Sequence, residues 1–506
     1  MTSETLSPSI SRLHQPSFSH AEILHVIFGV MICILLAALD QAAVIPAIPA
    51  IAHELGAYGQ LSWIVAAYLI TSTISTPVYG KLSDIYGRRR LLIICIVFFV
   101  AASLLCASAQ SLGQLIWFRA LQGLAGGGLM ALTQAVIADV VSPRERGRYQ
   151  FYISAVWATS SLCGPLVGGF VAQNLSWRWI FWINLPISAA ALSVCNSALR
   201  RLSPPVRAGM PRLDLNGMLL LAGSISVLLL ALGWGGRVYA WGSYQILGLV
   251  GLGSVLLLLL IVQEHRARDP LLPPRVFHSS SYVSNVVVST LAATLMFTCV
   301  FTIPLYFQLA RGVTPTQSGI YIVPFMLASA VGNVIGSRWG RHFGTMRGGL
   351  RIAASLGCVG LALLAALPLN APLWSVIIAM ILAGLGIGVC LIGSITSAQN
   401  ALSVQDIGSG TSALLVLRSV GGASGTTLAG AIIGSGLSVI GGAKAIAEKS
   451  VEHGSPAAVD VVTNLGWSFA MIYVAAALLA AAALLTALFM PNTPLRGSPH
   501  ATAAPE

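Results

Sequence analysis

The chain has 506 residues, of which 56% are hydrophobic and only 8% are charged, and its mean hydropathy is +0.84. Soluble domains carry about 25% charged residues, so this composition excludes a soluble protein and predicts that most of the chain lies in lipid. The net charge of +12 would suggest nucleic-acid binding in a soluble protein, but here the cations lie in short loops between apolar runs. That arrangement is typical of membrane topology and predicts no nucleic-acid partner.

Fourteen apolar segments are long enough to cross a bilayer, which takes about 20 residues per helix. The predicted fold class is therefore an all-α integral membrane protein with 14 transmembrane helices, and the polar first 22 residues are not expected to be a cleavable signal. The spans are predicted at 24–49, 60–80, 91–109, 114–138, 150–172, 179–199, 214–234, 245–263, 283–307, 317–337, 350–369, 372–393, 409–433 and 466–490.

Lys and Arg residues are distributed unevenly between the two sides of these spans. With the N-terminus inside, 20 of them fall in inner segments and five in outer segments. Because cytoplasmic loops are enriched in Lys and Arg, both termini are predicted to be cytoplasmic, as tails at 1–22 and 491–506. An even number of spans follows from this orientation.

An internal repeat appears when Gln60 is aligned with Gln317, an offset of 257 residues. A span followed by a basic loop ending in Gly87 then matches a second such stretch ending in Gly344. Two pseudo-symmetric six-helix bundles are predicted, at 23–200 and 283–490, with two inserted helices and their loops at 201–282. Parallel halves of this kind place a substrate site between them near the bilayer midplane.

Only three charged residues are expected at membrane depth: Asp40 in span 1, Arg119 in span 4 and Arg418 in span 13. A charge in hydrocarbon costs a few kcal/mol or more and by default indicates function. The repeat places Phe297 opposite Asp40, so the acidic chemistry is predicted in the first half alone. The eight cysteines are scattered without a CxxC pair, and we expect no disulfide framework, metal site or cofactor.

Five short motifs carry a family resemblance. The loop Gly80–Arg90, the stretch Arg119–Gly123 and the stretch Gly164–Gly169 occur at spans 2, 4 and 5. Leu39-Asp40-Gln41, with Pro46 and Pro49, lies in span 1, and the segment Trp177–Pro186 enters span 6. Together, in this order, they resemble the major facilitator superfamily, and within it the 14-helix drug:proton antiporter branch. One departure is that Ala42 and Ala43 stand where the branch often has Thr.

The resemblance implies proton-coupled export by alternating access, with spans 1 and 4 as neighbours. At 1.5 Å per residue, Asp40 and Arg119 lie at similar depth in the outer half of the membrane. A nearby Arg favours an ionised carboxylate and desolvation favours the neutral one, so Asp40 is predicted to load and release a proton as the cavity opens and closes. The alternative is a purely structural Asp–Arg pair that locks two helices.

The resemblance also assigns an inner gate and an exporter motif. The Asp84 carboxylate is expected to meet the inner N-terminus of span 13, and Arg88 is expected to pair with Asp139; Gly80 and Gly87 complete this gate. The alternative is a solvated charge run that only sets topology. Four small or kinking residues form the exporter motif of span 5, as a hinge or as simple close packing: Gly164, Pro165, Gly168 and Gly169.

Spans 1, 4, 9 and 12 are expected to line a substrate cavity with help from their neighbours. Apolar walls with scattered polar groups suit lipophilic or amphipathic compounds. The candidate lining residues are Gln41, Gln122, Phe297, Gln308, Asn333, Met380 and Arg418.

The predicted function is a proton-coupled exporter of lipophilic or amphipathic small molecules. The alternatives are an exporter of one endogenous metabolite, a nutrient importer, and a transporter-like sensor. No Walker loop, HExxH or GxSxG motif occurs in a suitable context, so an enzyme is not expected. The expected partners are substrate, protons and the lipid bilayer. The expected location is the bacterial cytoplasmic (inner) membrane, and the expected unit is a monomer.

Overall fold

The computed structural model describes residues 20–55, 61–140, 146–201, 214–235, 238–267, 270, 272, 274–403, 406–438 and 456–494. These residues are almost entirely helical and include no β-strand. The helices are α1 (His20–Leu55), α2 (Ser62–Tyr86), α3 (Arg88–Ser108), α4 (Leu112–Val140), α5 (Arg146–Asn174), α6 (Trp179–Trp182), α7 (Asn184–Ala198), α8 (Leu215–Trp234), α9 (Tyr244–Arg266), α10 (Ser280–Leu305), α11 (Pro315–Tyr321), α12 (Val323–Phe343), α13 (Arg347–Ala366), α14 (Leu373–Asn400), α15 (Ile407–Ser438) and α16 (Pro456–Phe489). The two predicted tails, except for residues 20–22 and 491–494, lie outside the described part of the chain.

Each predicted span coincides with a helix or with a pair of consecutive helices. Within the described residues, eleven helical segments are long and apolar enough to cross a membrane, which confirms an all-helical membrane architecture. The helices α2, α5 and α15, at predicted spans 2, 5 and 13, are not among the eleven. The exact count of fourteen therefore stays a prediction.

Helix ends follow local sequence signals. Gly87 separates α2 from α3 with φ 89°, and Gly344 ends α12 with φ 67°. Only glycine adopts such φ angles without strain, so both matching glycines of the repeat end a helix with positive φ, although their ψ angles differ, at 139° and −3°. Thr314 caps α11 in a reciprocal capping box with Gln317, which satisfies backbone donors at the helix start.

The two halves repeat their helix packing. In the first half α2 packs on α4, α1 on α5 and α3 on α4; in the second half α12 packs on α14, α10 on α15 and α13 on α14. The inserted helix α9 packs mainly on α8, and α8 contacts α2 and α15. We call the end of the bundle where α2 meets α3 the near end, and the end where α1 meets α2 the far end.

Candidate functional site

Asp40 lies inside the first half and is almost completely buried. Its side chain and that of Arg119 are both about 1% exposed, and Arg119 Nη1 lies 2.6 Å from Asp40 Oδ2. The pair links α1 to α4, and these helices correspond to spans 1 and 4, which were expected to be neighbours. A buried pair of this kind is held by mutual attraction and by further hydrogen bonds that compensate for lost water.

Three side chains donate hydrogen bonds to the Asp40 carboxylate. Arg119 donates to Oδ2, while Gln122 Nε2 at 2.9 Å and Asn184 Nδ2 at 2.7 Å donate to Oδ1. Ser103 Oγ accepts from both amides, at 2.7 Å from Gln122 and 3.0 Å from Asn184. The network therefore ties α1 to α3, α4 and α7 through atoms that all lie out of solvent.

The guanidinium of Arg119 makes further contacts beside Asp40. It donates from Nε to the Ile64 carbonyl at 3.3 Å and from Nη1 to Gln122 Oε1 at 2.6 Å. Its Cζ also lies 4.5 Å from the ring centroid of Tyr68 and 5.9 Å from that of Phe181, within the range of cation–π attraction. These contacts hold the cation beside Asp40 in one geometry.

Ser103 and Asn184 are functional candidates that sequence reasoning missed. Each is one polar residue in an otherwise apolar stretch, Ala-Ala-Ser-Leu-Leu and Phe-Trp-Ile-Asn-Leu-Pro. A single polar residue in an apolar stretch is the sequence feature that could have identified them, because buried polar groups need hydrogen-bond partners. The sequence does not reveal how α3 and α7 are rotated about their axes, and this rotation turns both side chains toward Asp40.

A small cavity of about 10 Å³ borders the carboxylate. It is lined by Leu39, Asp40, Ala43, Val167, Ile180, Ile183 and Asn184, which come from α1, α5, α6 and the start of α7. A cavity of this size is about as large as one water molecule requires. It lies on the side of Asp40 where Asn184 approaches.

The glycines of the predicted exporter motif let α5 approach two other helices. A Cβ at Gly164 or Gly168 would overlap Ala42 or Ala43 of α1. A Cβ at Gly169 would overlap the backbone of Pro315 in the second half. Ala42 and Ala43, the departure from the family pattern, are therefore the small residues that α5 packs against, two and three residues after Asp40.

Hydrogen bonds join the two halves at the far end. Gln308 Nε2 donates to the Pro46 carbonyl at 3.0 Å and to Ser318 Oγ at 2.7 Å. Thr316 donates from its amide to Gln173 Oε1 at 3.2 Å and from its hydroxyl to the Gly169 carbonyl at 3.3 Å. Gln308 belongs to a π-helical turn, Tyr306–Ala310, a distortion often found at functional sites.

The predicted gate at the near end is partly described. Arg88 Nε lies 3.0 Å from Asp139 Oδ2, and Arg88 also bonds to Ser83 Oγ and, at 3.4 Å, to the Gly80 carbonyl. The side chain of Asp84 lies outside the described residues, so its expected contact with span 13 does too. A Cβ at Gly80 would meet nothing within 4 Å.

The other predicted lining residues have different surroundings. Gln41 and Arg418 are half-buried, and Phe297 packs against Gly422 of α15. Met380 is completely enclosed in the hydrophobic core. The side-chain oxygen of Asn333 is buried without a hydrogen-bond partner in the described part of the chain. Among those residues no group of three or more His, Cys, Asp or Glu side chains could hold a metal ion.

Curated relatives of the chain are transporters. The uncharacterized MFS-type transporter Rv1877 of Mycobacterium tuberculosis is 34% identical over 435 residues, which is 85% of this chain but only 62% of the relative. The multidrug transporter protein MdtP of Bacillus subtilis is 32% identical over 80% of this chain and 74% of its own length. Multidrug resistance protein 3 of the same organism is 32% identical over 80% of this chain and 79% of its own length.

Solved transporter structures share the fold at low sequence identity. A bacterial homolog of the human lysosomal transporter Spinster, in an inward-facing conformation, has a TM-score of 0.64 at 14% identity and covers 93% of this chain and 98% of its own. The Escherichia coli xylose transporter XylE, in a partially occluded inward open conformation, has a TM-score of 0.58 at 15% identity over 94% and 99%. A model of the Major Facilitator Superfamily matches residues 30–426, so the chain belongs to the Major Facilitator Superfamily.

Proposed function

We propose that the chain is a proton-coupled exporter, a drug:proton antiporter that moves lipophilic or amphipathic small molecules by alternating access. The observation that carries this proposal is the buried Asp40, which accepts hydrogen bonds from Arg119, Gln122 and Asn184. An ionisable residue inside a membrane bundle indicates an ion or proton pathway.

In this proposal the ionised Asp40 holds Arg119, and protonation cancels the attraction between them. Two unit charges that approach within a hydrogen-bond distance attract strongly away from water, so adding a proton changes the preferred arrangement of α1 against α4. Export follows if the protonated form favours one opening of the central cavity and the ionised form favours the other. Substrate and proton then compete for the same protein state.

The packing of α5 supports a mechanical link between Asp40 and the boundary of the two halves. Gly164 and Gly168 meet α1 within four residues of Asp40, and Gly169 meets Pro315 across the boundary. A shift of α1 is therefore passed to the far-end contacts by one closely packed helix, since packed interfaces have few intermediate arrangements. We propose that the far end is the outer side and that these contacts seal it when the cavity opens inward.

The near end is proposed as the inner gate, at the cytoplasmic side. The Arg88–Asp139 ion pair and the tight turn at Gly87 give it a defined shape, and Asp84 is proposed to complete it against span 13. Both termini are proposed to be cytoplasmic, in a bacterial inner membrane, and the transport unit is proposed to be one chain of 14 spans with two six-helix bundles.

The proposed substrate class follows from the relatives and from the composition of the interior. Two Bacillus subtilis relatives are named a multidrug transporter and a multidrug resistance protein. An interior with scattered polar groups such as Gln41, Gln122 and Asn333 suits compounds that are largely apolar. Phe297 and Arg418 are proposed to contribute to the cavity wall from the second half.

Dye efflux from proteoliposomes with an imposed pH gradient tests the proposal. The gradient should drive a lipophilic dye out through the wild type, and Asp40→Asn should lose that drive while still binding dye. Equal gradient-driven transport by both proteins would make Asp40 a structural residue and end the proposal. The Asp214→Asn variant is the matched control, because Asp214 accepts from Gln263 at 2.9 Å within the inserted helices, outside both the buried network and the proposed gates.

A further inference from the structure

Among the described residues, every side chain that forms a hydrogen bond with Asp40 is the donor in that bond. Its Oδ2 accepts from Arg119, and its Oδ1 accepts from the amides of Gln122 and Asn184. This arrangement stabilises the ionised carboxylate. A protonated Asp40 would carry an O–H donor facing three further donors, and a buried donor without an acceptor is costly.

Only one of the three neighbours can become an acceptor at small cost. Arg119 has no acceptor atom. The carbonyl oxygen of Gln122 already accepts from Arg119 Nη1 at 2.6 Å, so turning that amide over would break a bond to a charged group. The carbonyl oxygen of Asn184 has no hydrogen bond among the described residues, and Asn184 borders the cavity of about 10 Å³ beside Asp40.

We propose that Asn184 is a positioning residue that responds to the protonation of Asp40 by turning its amide over, an inference that rests on the proposed proton coupling. In the ionised state the Asn184 NH₂ donates to Asp40 Oδ1 and Ser103 Oγ. In the protonated state the new proton on Asp40 is donated to Asn184 Oδ1, and the NH₂ group turns toward the cavity. No proton other than the transported one is gained or lost.

Ser103 suits this exchange because a hydroxyl can donate or accept. It now accepts from Gln122 at 2.7 Å and from Asn184 at 3.0 Å. After the amide turns over, the rotated Ser103 hydroxyl donates to Asn184 Oδ1 and still accepts from Gln122. The turned Asn184 NH₂ group faces the cavity of about 10 Å³, which is about as large as one water molecule requires, so a water molecule there can accept from it. Asp40, Ser103 and Gln122 keep partners in both protonation states, and the bonds from Asn184 to α1 and α3 reverse direction.

The surroundings contain few other groups that could titrate. Arg119 approaches from α4, Tyr68 from α2 beneath the Arg119 guanidinium, and Cys106 from α3, whose Sγ lies 3.6 Å from Gln122 Oε1. The cavity-lining residues of α5 and α6, Val167 and Ile180, carry no titratable group. The response to a proton at this site therefore belongs to Asp40 and its amide neighbours.

Infrared difference spectroscopy of the purified full-length protein, between acid and neutral pH, tests this inference. The carboxylic C=O band of protonated Asp40 is assigned by its loss in Asp40→Asn. In Asn184→Leu that band should shift to the frequency of an acid whose O–H has no acceptor. The control Asn285→Leu breaks another buried Asn–Ser bond, to Ser397 at 3.0 Å in the second half, and should leave the band where the wild type has it.

A second measurement needs no variant at the site and remains decisive if Asn184→Leu fails to fold. With isotope-labelled Asn, the wild-type difference spectrum should contain one side-chain amide band that changes with the Asp40 signal. Absence of that band, or an unshifted Asp40 band in Asn184→Leu, overturns the role of Asn184 and leaves proton coupling intact. Absence of any Asp40 band over the working pH range overturns the coupling itself.

Discussion

The interiors of the two halves share their packing but not their chemistry. The repeat offset of 257 residues pairs Asp40 with Phe297, Arg119 with Val376 and Gln122 with Ala379. Val376 and Ala379 are buried at 2% and 0% exposure, so the position of the charged network in one half is filled by hydrocarbon in the other. The helix pairs around both positions are nevertheless the same.

Glycines at matching positions of α5 and α15 give a second comparison between the two halves. Gly164 and Gly168 pack α5 on the backbone of α1, and Gly421 and Gly425, at the matching positions of α15, pack on the backbone of α10. Symmetric close packing suits two bundles that rock against each other. The asymmetric charge means that a proton can change the internal bonding of the first half only, while the second half provides the surface against which it moves.

The largest expected effect comes from removing one partner of the Asp40–Arg119 pair. Arg119→Leu leaves a buried carboxylate without its cation, which costs about 3–5 kcal/mol and should lower the melting temperature measured by tryptophan fluorescence in detergent. The double variant Asp40→Asn with Arg119→Leu removes both charges and should be more stable than Arg119→Leu alone. If the double variant is no more stable than Arg119→Leu, the stability of the buried network does not depend on the Asp40–Arg119 ion pair.

An intermediate effect is expected at the matched glycines. A Cβ at Gly168 would overlap the Ala43 carbonyl oxygen, and a Cβ at Gly425 would lie 2.5 Å from the Thr294 carbonyl oxygen. Gly168→Ala and Gly425→Ala should therefore each cost about 1–3 kcal/mol by overpacking, visible as similar losses in melting temperature.

The pH dependence of dye efflux should separate the two glycine variants. Gly168→Ala displaces α1 three residues from Asp40 and should shift the pH midpoint of efflux, whereas Gly425→Ala displaces α10, which has Phe297 instead, and should not. Equal shifts in the two variants would mean that the pH response is spread over both halves.

Sequence reasoning predicted the helices, the repeat and the position of the buried charges, because these depend on composition and periodicity. It predicted that Asp40 and Arg119 lie at one depth from a simple count of residues along two spans. It did not predict Asn184 or Ser103, since a helix's rotation about its axis depends on packing against neighbours. A single Asn or Ser in an apolar run does not reveal which way it points.

Gln308 and Met380 show the same limit for the predicted cavity. Met380 lies on predicted span 12 but is enclosed in the core. Gln308 lies one residue past predicted span 9, in a π-helical turn, and bonds to the Pro46 carbonyl at the far end. The π-helical turn that carries Gln308 adds one residue to the local turn, which rotates the side chain away from a regular helical register. The sequence has no signal for that turn beyond Pro304.

The smallest expected effect concerns the hydrogen bond by which Gln308 of the second half restrains α1. Gln308→Leu removes a neutral hydrogen bond worth about 1 kcal/mol, so the ratio of far-end-open to far-end-closed molecules should rise about fivefold. Spin labels at exposed Asn174 and Trp374, one in each half, would report longer distances. Gln263→Leu is the matched control, because it also loses one bond donated by a Gln amide, 2.9 Å to Asp214, within the inserted helices. If Gln263→Leu lengthens the distances as much, or if Gln308→Leu leaves them unchanged, the second half does not restrain α1 at this point and its role is reduced to that of a passive wall.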